Sequence, residues 1–429
     1  MSMRYQDAIA RLFALQARGM RVGIERMTDG LAFRGLTPER LRVPFIQVAG
    51  TNGKGSVASM IASCLREAGY RTGLFSSPHL HRFTERVRID GEPIGTREAA
   101  RRIRELLAWS ESPHAPELSF FELGTLLAVE AFRDHQCDVA VLEVGLGGRL
   151  DATTALPAQL SVITRIAFDH MAILGSTLPQ IAAEKAGIIR RGVPVIVGSR
   201  QRQAQRVIVA QARRMRAPLT LIDRDFRALP GRAGRVGFEL RGQRIAPVAL
   251  GLAGEHQHEN AAIAAAAVHA LADVGLPVST AALRRGLARV RWPARLEFVP
   301  GRPALLFDAA HNPDGAAALA RHLAREKRRP RVLIFGAMAD KAYPEMLSLL
   351  APVVEQAIYV QAQLPRAGTP ADFQRHLPGI AARDAADALR RARSAAGSGG
   401  LVVCAGSIFA VSELRARALR VPSDPLIRL

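Results

Sequence analysis

Lysine is almost absent from this chain. Of its 59 basic residues, only Lys54, Lys185, Lys327 and Lys341 are lysine. Arginine keeps its proton in a protein whereas lysine can lose it, so a compact, deprotonatable amine is rare here. Lys327, in the charged run 325–331, reads as a solvated charge; the other three fall inside the motifs described below. Cysteine is scarce too. Cys64, Cys137 and Cys404 are far apart, have apolar neighbours and form no CxxC pair, which excludes a disulfide framework. Buried thiols in a reducing cytosol are expected. Aromatic residues make up only 5%, and no RNP-type motif or zinc-finger spacing accompanies the formal charge of +21. The basic residues are spread along the whole chain, which argues against a nucleic-acid partner and for a positive field suited to small anions. No run of about 18 uncharged apolar residues could span a membrane; the alanine-rich run 261–272 is too short and contains His269. The N-terminus lacks the order of a signal peptide. A cytoplasmic protein without a membrane partner, and a monomer, is expected.

What is present is globular composition, 48% hydrophobic and 23% charged, in 429 residues. That length exceeds one ordinary core and predicts two domains. Residues 5–16 are helix-like. Residues 44–49 form a short apolar run that ends in GTNGKGS and continues as an amphipathic stretch to residue 68: strand, glycine-rich turn, helix. Apolar runs recur at 72–75, 139–143, 161–166 and 193–197 between helical stretches, the pattern of a mainly parallel α/β sheet. Residues 238–250 look like an added hairpin. Helical segments at 256–274 and 280–288 lead to WPARLEFVPGRP, whose prolines and glycine place a domain boundary at 297/298. Beyond it the alternation restarts as a smaller, doubly wound, Rossmann-like α/β domain over 298–429. Residues 363–380 read as loop.

The segment GTNGKGS, comprising Gly50, Thr51, Asn52, Gly53, Lys54, Gly55 and Ser56, carries the strongest chemical signal. Its glycines let backbone N–H groups turn toward a phosphate, and the following helix adds its N-terminal dipole. Lys54 would meet the β- and γ-phosphates, and Ser56 could approach the nucleotide or its metal. The spacing differs from GxxxxGK[ST]. An ordinary glycine-rich turn is the plainer alternative. Glu143 ends an apolar strand, where α/β sheets bind ligands, and a carboxylate there suits Mg²⁺; capping of the next loop is the alternative. Lys185 sits among apolar neighbours in AAEKAGII. A buried amine loses its proton more readily, but a helix lysine paired with Glu184 would look the same.

The chain resembles the folylpolyglutamate synthase branch of the Mur ligase superfamily. The resemblance rests on VAGTNGKGS with SSPHL after it, then GIERM at 23–27, SFFELGTLLA at 119–128 and LEVGLGGRLDATT at 142–154. It continues through ITRIAFDHMAILG at 163–175, IAAEKAGII at 181–189, GEHQHENAA at 254–262, WPARLE at 292–297, FDAAHNPDGA at 307–316, FGAMADK at 335–341 and GSIFAVSE at 406–413. It covers almost the whole chain in order. Only 49 residues precede Gly50, leaving no room for the UDP-binding domain of the cell-wall ligases, so a folate acceptor is expected. Thr154 stands where many relatives have Asn, and Ala342 follows Lys341 where Asp is frequent.

The resemblance implies a P-loop ATPase domain over 1–297. It implies an ATP-dependent ligase that adds L-glutamate to dihydropteroate and to reduced folates through an acyl phosphate. It implies two Mg²⁺ ions, the first on Ser77 and Glu143, the second on His170, and a carbamylated Lys185. ATP contacts would come from Asn260, Arg295 and Asp308. The pterin would lie on Phe120, Phe121, Glu122, Leu150, Asp151 and Ala152, with Asp151 pairing ring nitrogens. His311 and Ser407 would meet glutamate. Two other enzyme readings stand beside it, a monofunctional folylpolyglutamate synthase and a Mur-type amide ligase with a non-folate acceptor. A basic P-loop ATPase that binds nucleic acid is the reading from another class.

Overall fold

The computed structural model describes residues 4–19, 23–37, 39–113 and 115–425. The chain divides into two compact units. The first comprises Met1–His79, Phe83–Gly251 and Gln257–Arg291, and the second Leu80–Arg82, Leu252–His256 and Trp292–Leu429. The long final segment of the second unit starts at Trp292, six residues before Phe298. Pro300, Gly301 and Pro303 form the turn between two antiparallel strands, Glu297–Val299 and Ala304–Phe307, and Pro293 precedes the first of them.

The strands in chain order are β1 (Phe45–Ala49), β2 (Thr72–Phe75), β3 (Val87–Ile89), β4 (Glu92–Pro93), β5 (Val139–Glu143), β6 (Ala158–Ile163), β7 (Val195–Val197) and β8 (Leu219–Leu221). They form one sheet in the order β4-β3-β2-β5-β1-β6-β7-β8. All pairings from β2 to β8 are parallel; β3 and β4 add an antiparallel edge. The central strands are buried at every position of β1 and β5, as strands covered on both faces must be. One polar side chain sits among them. Gln47, fully buried in β1, donates to Thr153 Oγ1 at 2.9 Å and Thr154 Oγ1 at 2.7 Å, fastening the loop after β5 to the central strand.

The expected hairpin is present as β10 (Val236–Leu240) and β11 (Gln243–Val248), joined by β9 (Phe226–Pro230) into a separate three-stranded antiparallel sheet. The second unit has β12 (Glu297–Val299), β13 (Ala304–Phe307), β14 (Arg331–Phe335), β15 (Gln356–Tyr359), β16 (Ile380–Ala381) and β17 (Leu401–Ala405). Their order is β12-β13-β17-β14-β15-β16, parallel except for β12. Alternate residues bury on opposite faces: Leu305, Phe307, Val402 and Cys404 in one apolar cluster, Ala304, Leu306, Leu401 and Val403 in the other. All three cysteines are buried and free. Residues 363–380, expected to be loop, contain a short helix, Pro370–Gln374, started by a capping box between Thr369 and Asp372. No helix among the described residues is long and apolar enough to cross a membrane.

Candidate active site

The first unit gathers its chemistry at the carboxyl ends of β1, β2, β5 and β6, where a doubly wound sheet binds ligands. The loop 50–53 leaves β1 and enters the helix Lys54–Glu67. Its course is set by the segment that leaves β6. Thr51 N–H donates to Arg165 O at 2.8 Å, Thr51 Oγ1 exchanges hydrogen bonds with Ala167 O and N at 3.0 and 3.1 Å, and Thr164 Oγ1 donates to Asn52 O at 2.8 Å. Two glycines are required. Gly50 has φ +151° and a Cβ there would lie 1.9 Å from Thr164 Oγ1; Gly53 has φ +88° and a Cβ would lie 2.4 Å from Asn260 Oδ1. Asn260, on the helix His256–Ala270, is thereby set against the loop. The Lys54 ammonium donates back to Gly50 O at 3.1 Å and Thr51 O at 3.3 Å. Ser56 is buried, and its hydroxyl accepts from Gln257 at 3.4 Å, a partner that the sequence reading missed.

Glu143 ends β5 and is buried; its Oε2 accepts the Ser77 N–H at 3.2 Å. Ser77, just past β2, precedes a cis peptide to Pro78. Arg86, also missed in sequence, is buried within electrostatic reach of Glu143. Burial pulls its guanidinium down to about 10, against the neighbouring Glu143 and Glu85 carboxylates, so it stays cationic at neutral pH. It donates to His79 Nδ1 at 2.9 Å and lies 5.0 Å from the centre of the Phe120 ring. His170 follows β6 in the left-handed region, at φ +50°, with Nε2 3.8 Å from Asp169 Oδ2. Among the described residues no three His, Cys, Asp or Glu side chains form a ready metal cage. A buried carboxylate with a neighbouring serine suits Mg²⁺, which keeps several waters and leans on substrate phosphates.

Lys185 is the most perturbed cation of the site. It lies in the helix Leu178–Ala186, which opens with a Thr177–Gln180 capping box, and is only 4% exposed. Burial, then the charge of Lys54, bring its amine down to about 7, against the pull of Asp169, Asp151 and Glu184. The residues singled out in sequence at Lys54, Asp151, Lys185 and next to His170 thus share one electrostatic neighbourhood.

The pterin candidates fold differently from one another. Phe120 and Phe121 begin the helix Phe120–Asp134 and are half-buried, Phe120 against Phe13 and Phe83, Phe121 against Phe75. Glu122 completes a capping box with Ser119 and pairs with Arg26 of the GIERM segment at 3.2 Å. Leu150 is half-buried and Ala152 buried. Asp151 is buried, and its carboxylate already accepts four hydrogen bonds. Gly145 N and Leu146 N reach Oδ2 at 3.0 and 3.1 Å; Thr153 N and Oγ1 reach Oδ1 at 3.0 and 2.6 Å. Through both oxygens Asp151 shapes the loop 145–153. Asp151→Asn would turn an amide N–H₂ toward two of those donors. It is expected to cost about 2–3 kcal/mol of stability, measurable by urea unfolding. Thr154, the departure from the family pattern, donates to Gly148 O at 2.7 Å and so serves the same loop.

The second unit carries its own cluster at the carboxyl ends of β13 and β17. Asp308 follows β13, is buried, and accepts from Leu296 N at 2.8 Å and Ala310 N at 2.9 Å. His311 Nδ1 lies 3.0 Å from Ala309 O. Gly406 N–H donates to Ala310 O at 3.2 Å, which brings the β17 exit beside this turn. Ser407 there is buried and caps the helix Ile408–Leu419 by accepting Ala410 N–H at 3.1 Å. Arg295 is half-buried, its Nη1 donating to Ala294 O at 2.9 Å.

Residues 48–268 match the Mur ligase middle domain and residues 294–408 the Mur ligase glutamate ligase domain. The dihydrofolate synthase/folylpolyglutamate synthase of Bacillus subtilis is 34% identical over 428 residues, covering 96% of this chain and 99% of its own. The structure of E. coli FolC in complex with DHPP and ADP superposes with a TM-score of 0.88 at 32% identity, covering 97% of this chain and 99% of that one. A bifunctional folylpolyglutamate synthase/dihydrofolate synthase with Mn, AMPPNP and L-glutamate bound gives 0.87 at 30% identity, covering 98% and 100%.

Proposed function

This chain belongs to the dihydrofolate synthase/folylpolyglutamate synthase family of Mur ligases, and from that premise we infer that it is an ATP-dependent ligase joining L-glutamate to dihydropteroate and to the γ-carboxylate of reduced folates. The observation that carries the reading is the phosphate-type loop of β1 with Lys54 at its end and, in electrostatic reach, a buried Lys185 whose amine titrates at about 7. The relatives' complexes with ADP, with DHPP, and with Mn, AMPPNP and L-glutamate support ATP, a divalent metal and these substrates.

The reaction is as follows. A substrate carboxylate oxygen attacks the γ-phosphorus of ATP; the bond to the β–γ bridging oxygen breaks and ADP leaves. The neutral amine of glutamate then attacks the acyl carbon of the acyl phosphate. The resulting tetrahedral species expels inorganic phosphate and loses a proton, leaving an amide. Backbone N–H groups of residues 50–55 and Lys54 would hold the phosphates and meet the charge that develops on them. Asn260, Arg295 and Asp308 would orient the nucleotide. His311 and Ser407 would orient glutamate. Phe120, Phe121 and Glu122, with the loop containing Leu150, Asp151 and Ala152, would wall the flat heterocycle, with Asp151 pairing its ring nitrogens. Ser77 and Glu143 would hold one Mg²⁺ and His170 a second, together with Lys185 carbamylated by CO₂. When bound, such ions screen the γ-phosphate charge. The chain is proposed to work as a monomer.

Glutamate incorporation measured side by side on dihydropteroate and on a reduced folate, with ADP release as the second readout, tests the reading. Both acceptors are expected to support ATP- and Mg²⁺-dependent incorporation. Activity on the reduced folate alone would reduce the protein to a folylpolyglutamate synthase. ADP release stimulated only by single-stranded DNA would refute the ligase assignment.

A further inference from the structure

We propose that Glu297 and Arg415 are positioning residues that hold Arg295 on a preset turn, ready for a phosphate contact. The proposal rests on the reading of Arg295 as a nucleotide contact. Ala294 and Leu296, the residues on either side of Arg295, both occupy the left-handed region, at φ +56° and +47°. Neither is glycine, and an L-residue with a β-carbon avoids that region unless its surroundings hold it there. Two such residues flanking one arginine mark a turn whose shape is imposed.

The surroundings that impose it are all in the second unit. Ala294 N–H is held by Glu297 Oε2 at 2.8 Å, and Leu296 N–H by Asp308 Oδ2 at 2.8 Å. Ala294 O accepts Ala309 N–H at 3.0 Å and Arg295 Nη1 at 2.9 Å. The two flanking side chains are buried on opposite faces of the six-stranded sheet, Ala294 in one apolar cluster and Leu296 in the other. The turn thus straddles the sheet edge, with half-buried Arg295 between its anchors. Glu297 is fixed in its turn by a fork of two 2.7 Å bonds from Arg415 Nε and Nη2. Arg415 also lies 2.8 Å from Nε2 of the buried His81. Burial pushes the Glu297 carboxyl up, but the bonds from Arg415 and Ala294 outweigh it and hold the group below the usual carboxylate range. The carboxylate therefore stays charged, as a bidentate partner for arginine must.

A guanidinium already set on a rigid turn loses less freedom when it meets a phosphate, which tightens binding without a new contact. Breaking the support should weaken nucleotide binding while leaving the glutamate KM alone. The test is a double-mutant cycle on the full-length protein with Mg²⁺, read as the Kd for ADP by calorimetry and as KM for ATP and for glutamate. Arg295→Ala is expected to weaken ADP binding at least about tenfold. Glu297→Gln is expected to weaken it about tenfold in the wild-type background and less than about twofold when Arg295 is already alanine. An equal loss in both backgrounds, or none in wild type, would overturn the positioning role. An Arg295→Ala protein with unchanged ADP affinity would instead overturn the nucleotide reading beneath it. Ala294→Gly relieves the left-handed constraint and removes only a methyl group. It should keep or raise the melting temperature yet weaken ADP binding about threefold; unchanged affinity would show that strain in the turn has no part in presenting Arg295.

Discussion

Replacing Lys185 with arginine is expected to lower glutamate ligation at least about a hundredfold, the scale of losing a charged group beside a transferring phosphate. A neutral lysine amine adds CO₂ and releases a proton to give a carbamate; a guanidinium keeps its proton and does not. The structure supplies what that step needs. Lys185 is 4% exposed, and burial together with Lys54 brings its amine to about 7, so near neutral pH a large share is uncharged. At fixed dissolved CO₂, the carbamylated fraction should rise as pH passes upward through about 7. Protein stripped of CO₂ should regain activity on adding bicarbonate, and Lys185→Arg should show no such recovery. Full activity in Lys185→Arg would contradict the carbamate.

Arginine also forces a permanent charge into an apolar site, so lost activity could follow from lost folding. Lys185→Met separates the two. The folded-state amine titrates at about 7 against an ordinary 10.5. Between those values the unfolded chain holds a proton that the folded chain lacks, so stability rises with pH across that window. The cost of burying the amine is fully present below about 7 and disappears toward 10.5. Lys185→Met should abolish that slope and, in metal- and CO₂-free buffer at pH 7, stabilise the fold by about 2 kcal/mol or more, while remaining inactive. Such a trade of stability for function is common where a buried group does chemistry.

The outline of both domains was legible because buried parallel strands read as short apolar runs, and β1, β5 and β17 are buried at every position. Short edge elements carried no such signal: β3, β4 and β16 have three, two and two residues, too few for a period. The chemical types in the loops after β1, β5 and β6 were legible from motif and position. Their division of labour was not. Asp151 and Glu122 suit a ligand by residue type, and each also holds its own backbone, Asp151 through donors two to six residues away and Glu122 by capping its helix. Those roles depend on how a loop closes, which composition does not encode. Gln47 reads as a polar interruption of a strand until Thr153 and Thr154 are brought over it. Arg415 and Glu297 are 118 positions apart, and only the fold of the second unit makes them a pair.

Lys54→Ala is the remaining large effect and should lower turnover about a thousandfold or more. Its cost to folding should be small, within about 1 kcal/mol, because the ammonium is half-exposed and its two bonds go to carbonyls of its own loop, Gly50 O and Thr51 O. A melting temperature near wild type with turnover lost would therefore assign Lys54 to chemistry rather than to loop structure. The same substitution reaches a second group. Lys54 is one of the charges that depress the Lys185 amine. Removing it should raise that amine's pKa and move bicarbonate uptake, followed as the ¹³C carbamate signal, to higher pH. That shift needs no turnover to be seen, so it tests the electrostatic link between the two lysines independently of catalysis. Glutamate ligation by Lys54→Ala within tenfold of wild type would refute the assignment of the loop, and an unmoved carbamate titration would separate Lys185 from it.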